Sequence, residues 1–124
     1  MNIVDTSGWL QYFMNGPYAD FFQPVRLDTS NLIVSTVNIY EVSKVIRRTA
    51  GDDAATRAIG DMLQAEVIDL NAEIAVLTSR ISIEENLPLA DSVILVTAMT
   101  TDASLWTQVS DFEGIEGVEY ISKP

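Results

Sequence analysis

The chain has 124 residues, 48% of them hydrophobic, which fits one domain with a real core and argues against disorder. It contains neither Cys nor His, which excludes a disulfide framework, thiolate sites, most zinc sites, Ser-His-Asp triads and His-based acid–base catalysis. Its net charge of −11, from 18 acids against 7 bases, counts against a direct nucleic-acid partner unless a metal cluster uses some acids or a basic partner supplies phosphate contacts.

The opening run Asn2-Ile3-Val4-Asp5 predicts a strand over 2–5, and a helix follows over about 7–14. Gly16-Pro17 breaks that region before a short helix over about 17–24. Leu32-Ile33-Val34-Ser35 predicts a buried strand over 32–36. In the helix expected over 38–50, Ile39, Val42 and Ile46 share one face, while Glu41, Lys44 and Arg48 share another. Gly51 stands where this helix should stop, and Asp52 can cap the next, over 53–64. A strand over 66–70 precedes a helix over 72–86, capped by Asn71 and ended by Pro88, because the residue before Pro avoids the α region. A helix over 91–101, a strand over 104–107, a turn and a strand over 118–122 complete the chain. This alternation predicts a single α/β domain over 1–124, with a central, mostly parallel sheet covered by helices on both faces.

No apolar stretch reaches the ~18 residues a membrane span needs. No basic segment precedes an apolar one at the start, so a cytoplasmic, soluble protein is expected.

Four carboxylates stand where such a sheet binds ligands, beyond the carboxyl ends of strands. Asp5 ends the first apolar run, Glu41 and Asp91 open helices, and Asp111 follows Leu105-Trp106-Thr107. Each has a bland alternative: Asp5 and Asp91 as helix caps, Glu41 in a capping-box arrangement with Asn38, Asp111 as the cap of a turn. Their joint placement favours a shared pocket. Like charges a few ångströms apart raise each other's pKa, and a divalent cation reverses that cost. Mg²⁺ or Mn²⁺ prefers carboxylate oxygens and keeps waters that can be activated for hydrolysis without His.

These residues resemble a PIN domain, in particular the small toxin nucleases of VapC type. Ile3-Val4-Asp5-Thr6-Ser7 is similar to that family's first motif, Glu41 to the acid early in its second long helix, and Leu87 to Ile94 to the motif holding its third acid. Leu105 to Ile115 resembles the last motif, and the ordered set covers nearly the whole chain. One position departs. Where the family usually has Asp or Asn, two residues after the Thr, this chain has Val109, and Asp111 matches the residue before the Phe. Asp111 is therefore expected to substitute as a ligand, to act through water, or only to cap the turn.

The resemblance implies an α/β/α sandwich and a metal-dependent endoribonuclease, the toxin of a toxin–antitoxin pair. Mg²⁺ or Mn²⁺ would be held by Asp5, Glu41, Asp91 and Asp111, and RNA would be the substrate. It further implies a homodimer and a cognate antitoxin that packs on apolar helices. Thr6, Ser7 and Thr107 are candidates to orient the acids or contact phosphate, or else serve the backbone. Lys44, Arg47 and Arg48 form a basic patch that could track an RNA backbone or simply be a solvated face. Two rivals remain: a degenerate PIN domain that binds without cutting, kept open by Val109, and a receiver-like acidic Mg²⁺ module. The latter lacks a Lys near the end of its last strand, since Lys123 is at the very end.

Overall fold

A computed structural model of the chain describes residues 1–122; Lys123 lies outside them. The central strands are apolar on both faces because helices cover both faces. With side chains alternating along a strand, Val4, Leu32 and Val34 enter one core, while Ile3, Ile33 and Leu105 enter another. The strands are β1 (Asn2–Val4), β2 (Leu32–Ser35), β3 (Glu66–Ile68), β4 (Ser104–Thr107) and β5 (Val118–Tyr120). They form one sheet in the order β3-β2-β1-β4-β5, and every pairing is parallel.

Six α-helices accompany them among the described residues: α1 (Thr6–Phe13), α2 (Ala19–Leu27), α3 (Thr36–Ala50), α4 (Asp52–Met62), α5 (Ala72–Glu85) and α6 (Leu89–Thr100). On one side, Trp9, Phe22, Val42, Ile46, Ala55 and Met62 from α1 to α4 pack against the sheet. On the other, α6 is buried from Ser92 through Ala98, between the sheet and α5. That accounts for its unbroken apolar run. The α/β class and the sandwich of helices about a parallel sheet are as the sequence predicts.

Several boundaries differ, for local reasons. Helix α3 begins at Thr36, not 38, because Ser35 and Asn38 form the capping box: Val37 N–H donates to Ser35 Oγ and Ser35 N–H to Asn38 Oδ1. Glu41 therefore sits inside the helix and takes no part in a box with Asn38. Helix α6 begins at Leu89 with Pro88 as its uncapped N-terminal neighbour, so Asp91 lies in its first turn and does not cap it. Gly51 (φ 91°) separates α3 from α4, leaving Asp52 as the first residue of α4. Asn71 caps α5 as expected, donated to by Ile74 N–H. Helix α2 runs on past Pro24 to Leu27. The lost hydrogen bond frees a carbonyl at exposed Asp20, where water can serve it.

Sequence order in the sheet runs outward from β1 to β3, then restarts at β4 and continues to β5. The reversal lies between β1 and β4. Open parallel sheets bind ligands beyond the carboxyl ends of the strands at that switch point.

Candidate active site

Asp5 directly follows β1, and the β1–β4 register places it beside Thr107 at the end of β4. Its backbone N–H donates to the Trp106 carbonyl (3.1 Å), and its carbonyl accepts from Trp9 N–H (3.2 Å). Three donors reach its carboxylate. Gly8 N–H donates to Oδ1 (3.0 Å), Ser7 Oγ–H to Oδ1 (2.7 Å) and Thr107 Oγ1–H to Oδ2 (2.8 Å). A carboxylate offers about four lone-pair sites, so roughly one remains for a further partner. Thr107 accepts from Val109 N–H (2.9 Å), which steers its own proton toward Asp5. The side chain is 2% exposed. Burial pushes its pKa above the usual carboxylate value, the three hydrogen bonds oppose that, and the charge of Glu41 adds to it.

Gly8 lets α1 start this close to the strand. A β-carbon there would lie 2.5 Å from Val4 Cγ1 and 2.7 Å from the Phe22 ring. The sequence offered no reason to single it out beyond a glycine within an otherwise helical segment.

Glu41 reaches the same region from α3. Its Oε1 accepts from Thr6 Oγ1–H at 2.5 Å, and Asn38 Nδ2 donates to Thr6 Oγ1 at 3.3 Å. Thr6 thus ties the start of α1 to α3. Buried Asn38 both caps α3 and props that tie, a positioning role absent from the sequence-based expectations.

Asp91 comes from the first turn of α6. Burial, then the charges of Asp5, Glu41 and Asp111 in that order, raise its pKa to about 6. Asp5, Glu41 and Asp111 therefore each lie within electrostatic reach of Asp91. No described residue gives Asp91 a hydrogen bond, and the one salt bridge among the described residues, Arg47 to Asp52 (2.6 Å), is elsewhere. Asp111 lies in a 3-10 turn over Ser110–Phe112. It is exposed and makes no capping hydrogen bond, so it is not the turn cap that the sequence allowed. Of the four bland alternatives only that of Asp5, as the cap of α1, is realised.

Convergence stops short of a finished ion site. Among the described residues, no three Asp or Glu side chains are drawn together in an arrangement that would hold a metal ion. Asp5 is turned onto hydroxyls and Glu41 onto Thr6. The donor set nevertheless fits a hard divalent cation: every group is a carboxylate oxygen, Asp5 keeps lone-pair capacity, and half-buried Asp91 has no protein partner.

Lys44 and Arg48 are exposed one and two turns along α3 from Glu41. Lys44 Nζ lies 5.7 Å from the Tyr40 ring centre, whereas Arg47 is engaged by Asp52.

The family model for the PIN domain matches residues 3–117. The chain belongs to the PIN domain family. Solved structures reproduce its fold over almost the full length. A toxin–antitoxin complex from Klebsiella pneumoniae superposes with a TM-score of 0.79 at 23% identity, covering 96% of each chain. The sarcin–ricin loop cleaving toxin VapC20 of Mycobacterium tuberculosis gives 0.78 at 14% identity, covering 94% of this chain and 95% of that one. DNA-bound VapBC from Salmonella typhimurium gives 0.75 at 20%, covering 98% of each. Comparison with curated protein sequences gives no match.

Within this PIN domain, Val109 is the residue that departs from the pattern. It packs against the core holding Leu105 and Phe112. Its apolar side chain joins that core, and Asp111 stands exposed two residues on. No helix among the described residues is long and apolar enough to cross a membrane.

Proposed function

We propose that this PIN domain is an endoribonuclease dependent on Mg²⁺ or Mn²⁺, the toxin of a toxin–antitoxin pair, hydrolysing RNA phosphodiester bonds. The observation that carries the reading is Asp91, whose carboxyl is raised by burial and by the charges of Asp5, Glu41 and Asp111 and is given no cation by the protein. Asp91 caps nothing and receives no hydrogen bond from a described residue, so its partial burial has no structural return. Similarity in fold to toxin–antitoxin proteins supports the biological setting.

Asp5 and Asp91 would ligate the cation, Glu41 would ligate directly or hold a water, and Asp111 would complete the set. Once bound, the cation supplies positive charge to a phosphoryl oxygen and acidifies water for attack. Ser7, Thr107 and Gly8 hold the Asp5 carboxylate in one orientation, and Thr6 does the same for Glu41. Lys44 and Arg48 are placed to meet backbone phosphates, with Arg47 more restricted by its ion pair. The protein would act in the cytoplasm as a homodimer bound by its antitoxin. Val76 and Ile83, seven residues apart on α5 and largely exposed, offer an apolar stripe suited to such a contact.

The test is cleavage of single-stranded RNA in Mn²⁺ and in EDTA by the wild type, Asp5→Asn and Asp91→Asn, with folding checked by circular dichroism. Loss of cleavage in EDTA and in both folded variants is expected. Cleavage that survives chelation or both substitutions overturns the mechanism. RNA binding without cleavage in the wild type would favour the degenerate, binding-only domain that Val109 keeps open.

A further inference from the structure

Tyr40 has no role in the scheme above. It is 61% exposed, and it is the one exposed aromatic among the described residues. Ser43, Lys44, Arg47 and Arg48 line a shallow depression of about 380 Å³ with it. Residues three, four and seven positions apart share a face of a helix, so these side chains form one strip along α3. Lys44 Nζ lies 5.7 Å from the Tyr40 ring centre, within cation–π reach. Three of the chain's seven cations fall within this short segment, and the other four stand singly along the sequence.

Helix geometry places the strip against the acids. Helix α3 begins directly after the carboxyl end of β2, and Tyr40 immediately precedes Glu41. Lys44 is three residues from Glu41 and four from Tyr40, so it borders both. Arg48 lies one turn farther on. The cations therefore lead away from the Glu41 carboxylate, which Thr6 ties to the start of α1. Arg47 is engaged by Asp52, while Lys44 and Arg48 have no carboxylate partner among the described residues.

Ring and charges together select the occupant. A single exposed apolar side chain is ordinary. An exposed ring set in a row of cations, on a chain otherwise strongly acidic, is complementary to an unpaired nucleotide strand: its bases stack on aromatic faces and its phosphates meet the cations. A duplex offers the same phosphates but keeps its bases stacked inside.

We infer that Tyr40 stacks an unpaired RNA base one or two nucleotides from the scissile phosphate, with the strand continuing along α3 over Lys44 and Arg48. A stack reads no base edge, so it selects single-stranded RNA and not a particular base. The inference rests on the ribonuclease reading.

The test uses one single-stranded oligoribonucleotide, a set in which single bases within three nucleotides of the cut are removed, and the same strand annealed to its complement. Cleavage is measured in Mn²⁺ and binding by fluorescence anisotropy in EDTA, for the wild type, Tyr40→Ala, Tyr40→Trp and Lys44→Gln. The ring is exposed, so melting temperatures should hold. Tyr40→Ala should raise KM and Kd at least about fivefold, the lower end of a base–aromatic stack, with kcat nearly unchanged, and Tyr40→Trp should restore both. One abasic position should cost the wild type a similar factor and cost Tyr40→Ala nothing further. Lys44→Gln should flatten the salt dependence of binding by the equivalent of about one phosphate contact. The annealed strand should be a poorer substrate for the wild type but not for Tyr40→Ala. An unchanged KM in Tyr40→Ala, or an abasic penalty that survives the substitution, overturns the inference and leaves the nuclease reading standing. So does a Tyr40→Ala variant that only turns a dimer into a monomer in sedimentation, because the face would then meet a second copy of the chain. A wild type that binds the RNAs with these Tyr40 dependences but cuts none overturns the nuclease reading alone; one that neither binds nor cuts overturns both.

Discussion

The two ends of the site are built differently. At the β1–α1 end, Asp5 is buried, caps a helix and is gripped by Gly8, Ser7 and Thr107. At the β4–β5 end, Asp111 is exposed on a single 3-10 turn and is held by no capping bond. The buried end fixes geometry through the scaffold. At the exposed end the two positions differ: Val109 packs against the core, while the carboxylate of Asp111 stands in solvent, where the core does not depend on it. A change of side chain at Asp111 therefore disturbs few contacts of the fold, whereas a change at Asp5 disturbs three hydrogen bonds.

The largest expected effect comes from attacking the rigid end. Asp5→Asn retains an acceptor for Gly8 N–H but removes charge from the site. Cation stabilisation of the transition state is worth several kcal/mol, so cleavage should fall at least ~100-fold with the melting temperature held or raised. A steady-state rate near wild type would remove Asp5 from the mechanism.

Next, Thr107→Val deletes one hydroxyl and keeps the side-chain shape. Outer partners of a metal ligand typically matter by about 10–100-fold in affinity or activity. Mn²⁺ titration should show a loss in that range, larger than any loss in Asp111→Ala. Equal losses in the two variants would break the contrast between the ends.

Proton linkage gives the third prediction. The folded-state pKa of Asp91, about 6, exceeds its ordinary value of 3.8, so the folded chain holds that proton more tightly than the unfolded one. The stability this gives is fully present below pH 4 and is lost as pH rises to about 6. At full burial the shift would correspond to about 3 kcal/mol. Solvent reaches this carboxyl, and screening reduces the expected loss to about 1 kcal/mol. Urea unfolding in EDTA across pH 4–7 should show that extra fall in wild type relative to Asp91→Asn, and Mg²⁺ should diminish it. Parallel pH profiles for the two proteins would contradict it.

The smallest effect belongs to the exposed end. Asp111→Ala should alter stability by no more than ~0.5 kcal/mol, as expected of a surface change. Cleavage should fall several-fold if Asp111 substitutes for the missing acid. Val109→Asp should then tighten Mn²⁺ binding while weakening the core around Phe112. If neither variant moves Mn²⁺ binding or cleavage, the fourth acid is irrelevant and three acids suffice.

Much of this was legible beforehand. The order of elements follows from apolar periodicity, and Gly51 and Asn71 mark their helix ends. Asp5, Glu41, Asp91 and Asp111 could be named because the strand ends of a parallel sheet are where ligands bind. What the sequence withheld depends on strand adjacency. Thr107 meets Asp5 only because β4 lies beside β1, and no local pattern encodes that pairing. Asn38 was legible as a polar residue near a helix start, but its contact with Thr6 spans two helices. Gly8 matters through a close approach to Val4 and Phe22, which only packing reveals.

The hydrogen bond from Thr107 to Asp5 spans 102 positions of chain. During synthesis at about 5–20 residues per second, Asp5 would wait roughly 5–20 s for its partner to emerge. Until then the central strand lacks one neighbour, and the carboxylate lacks the hydroxyl that orients it. Distant pairings of this kind also slow folding after release. A ribosome-bound chain that ends before β4 is therefore expected to bear the motif of Asp5 without its assembled site. For an enzyme that would degrade RNA, the topology itself sets a delay between translation and activity.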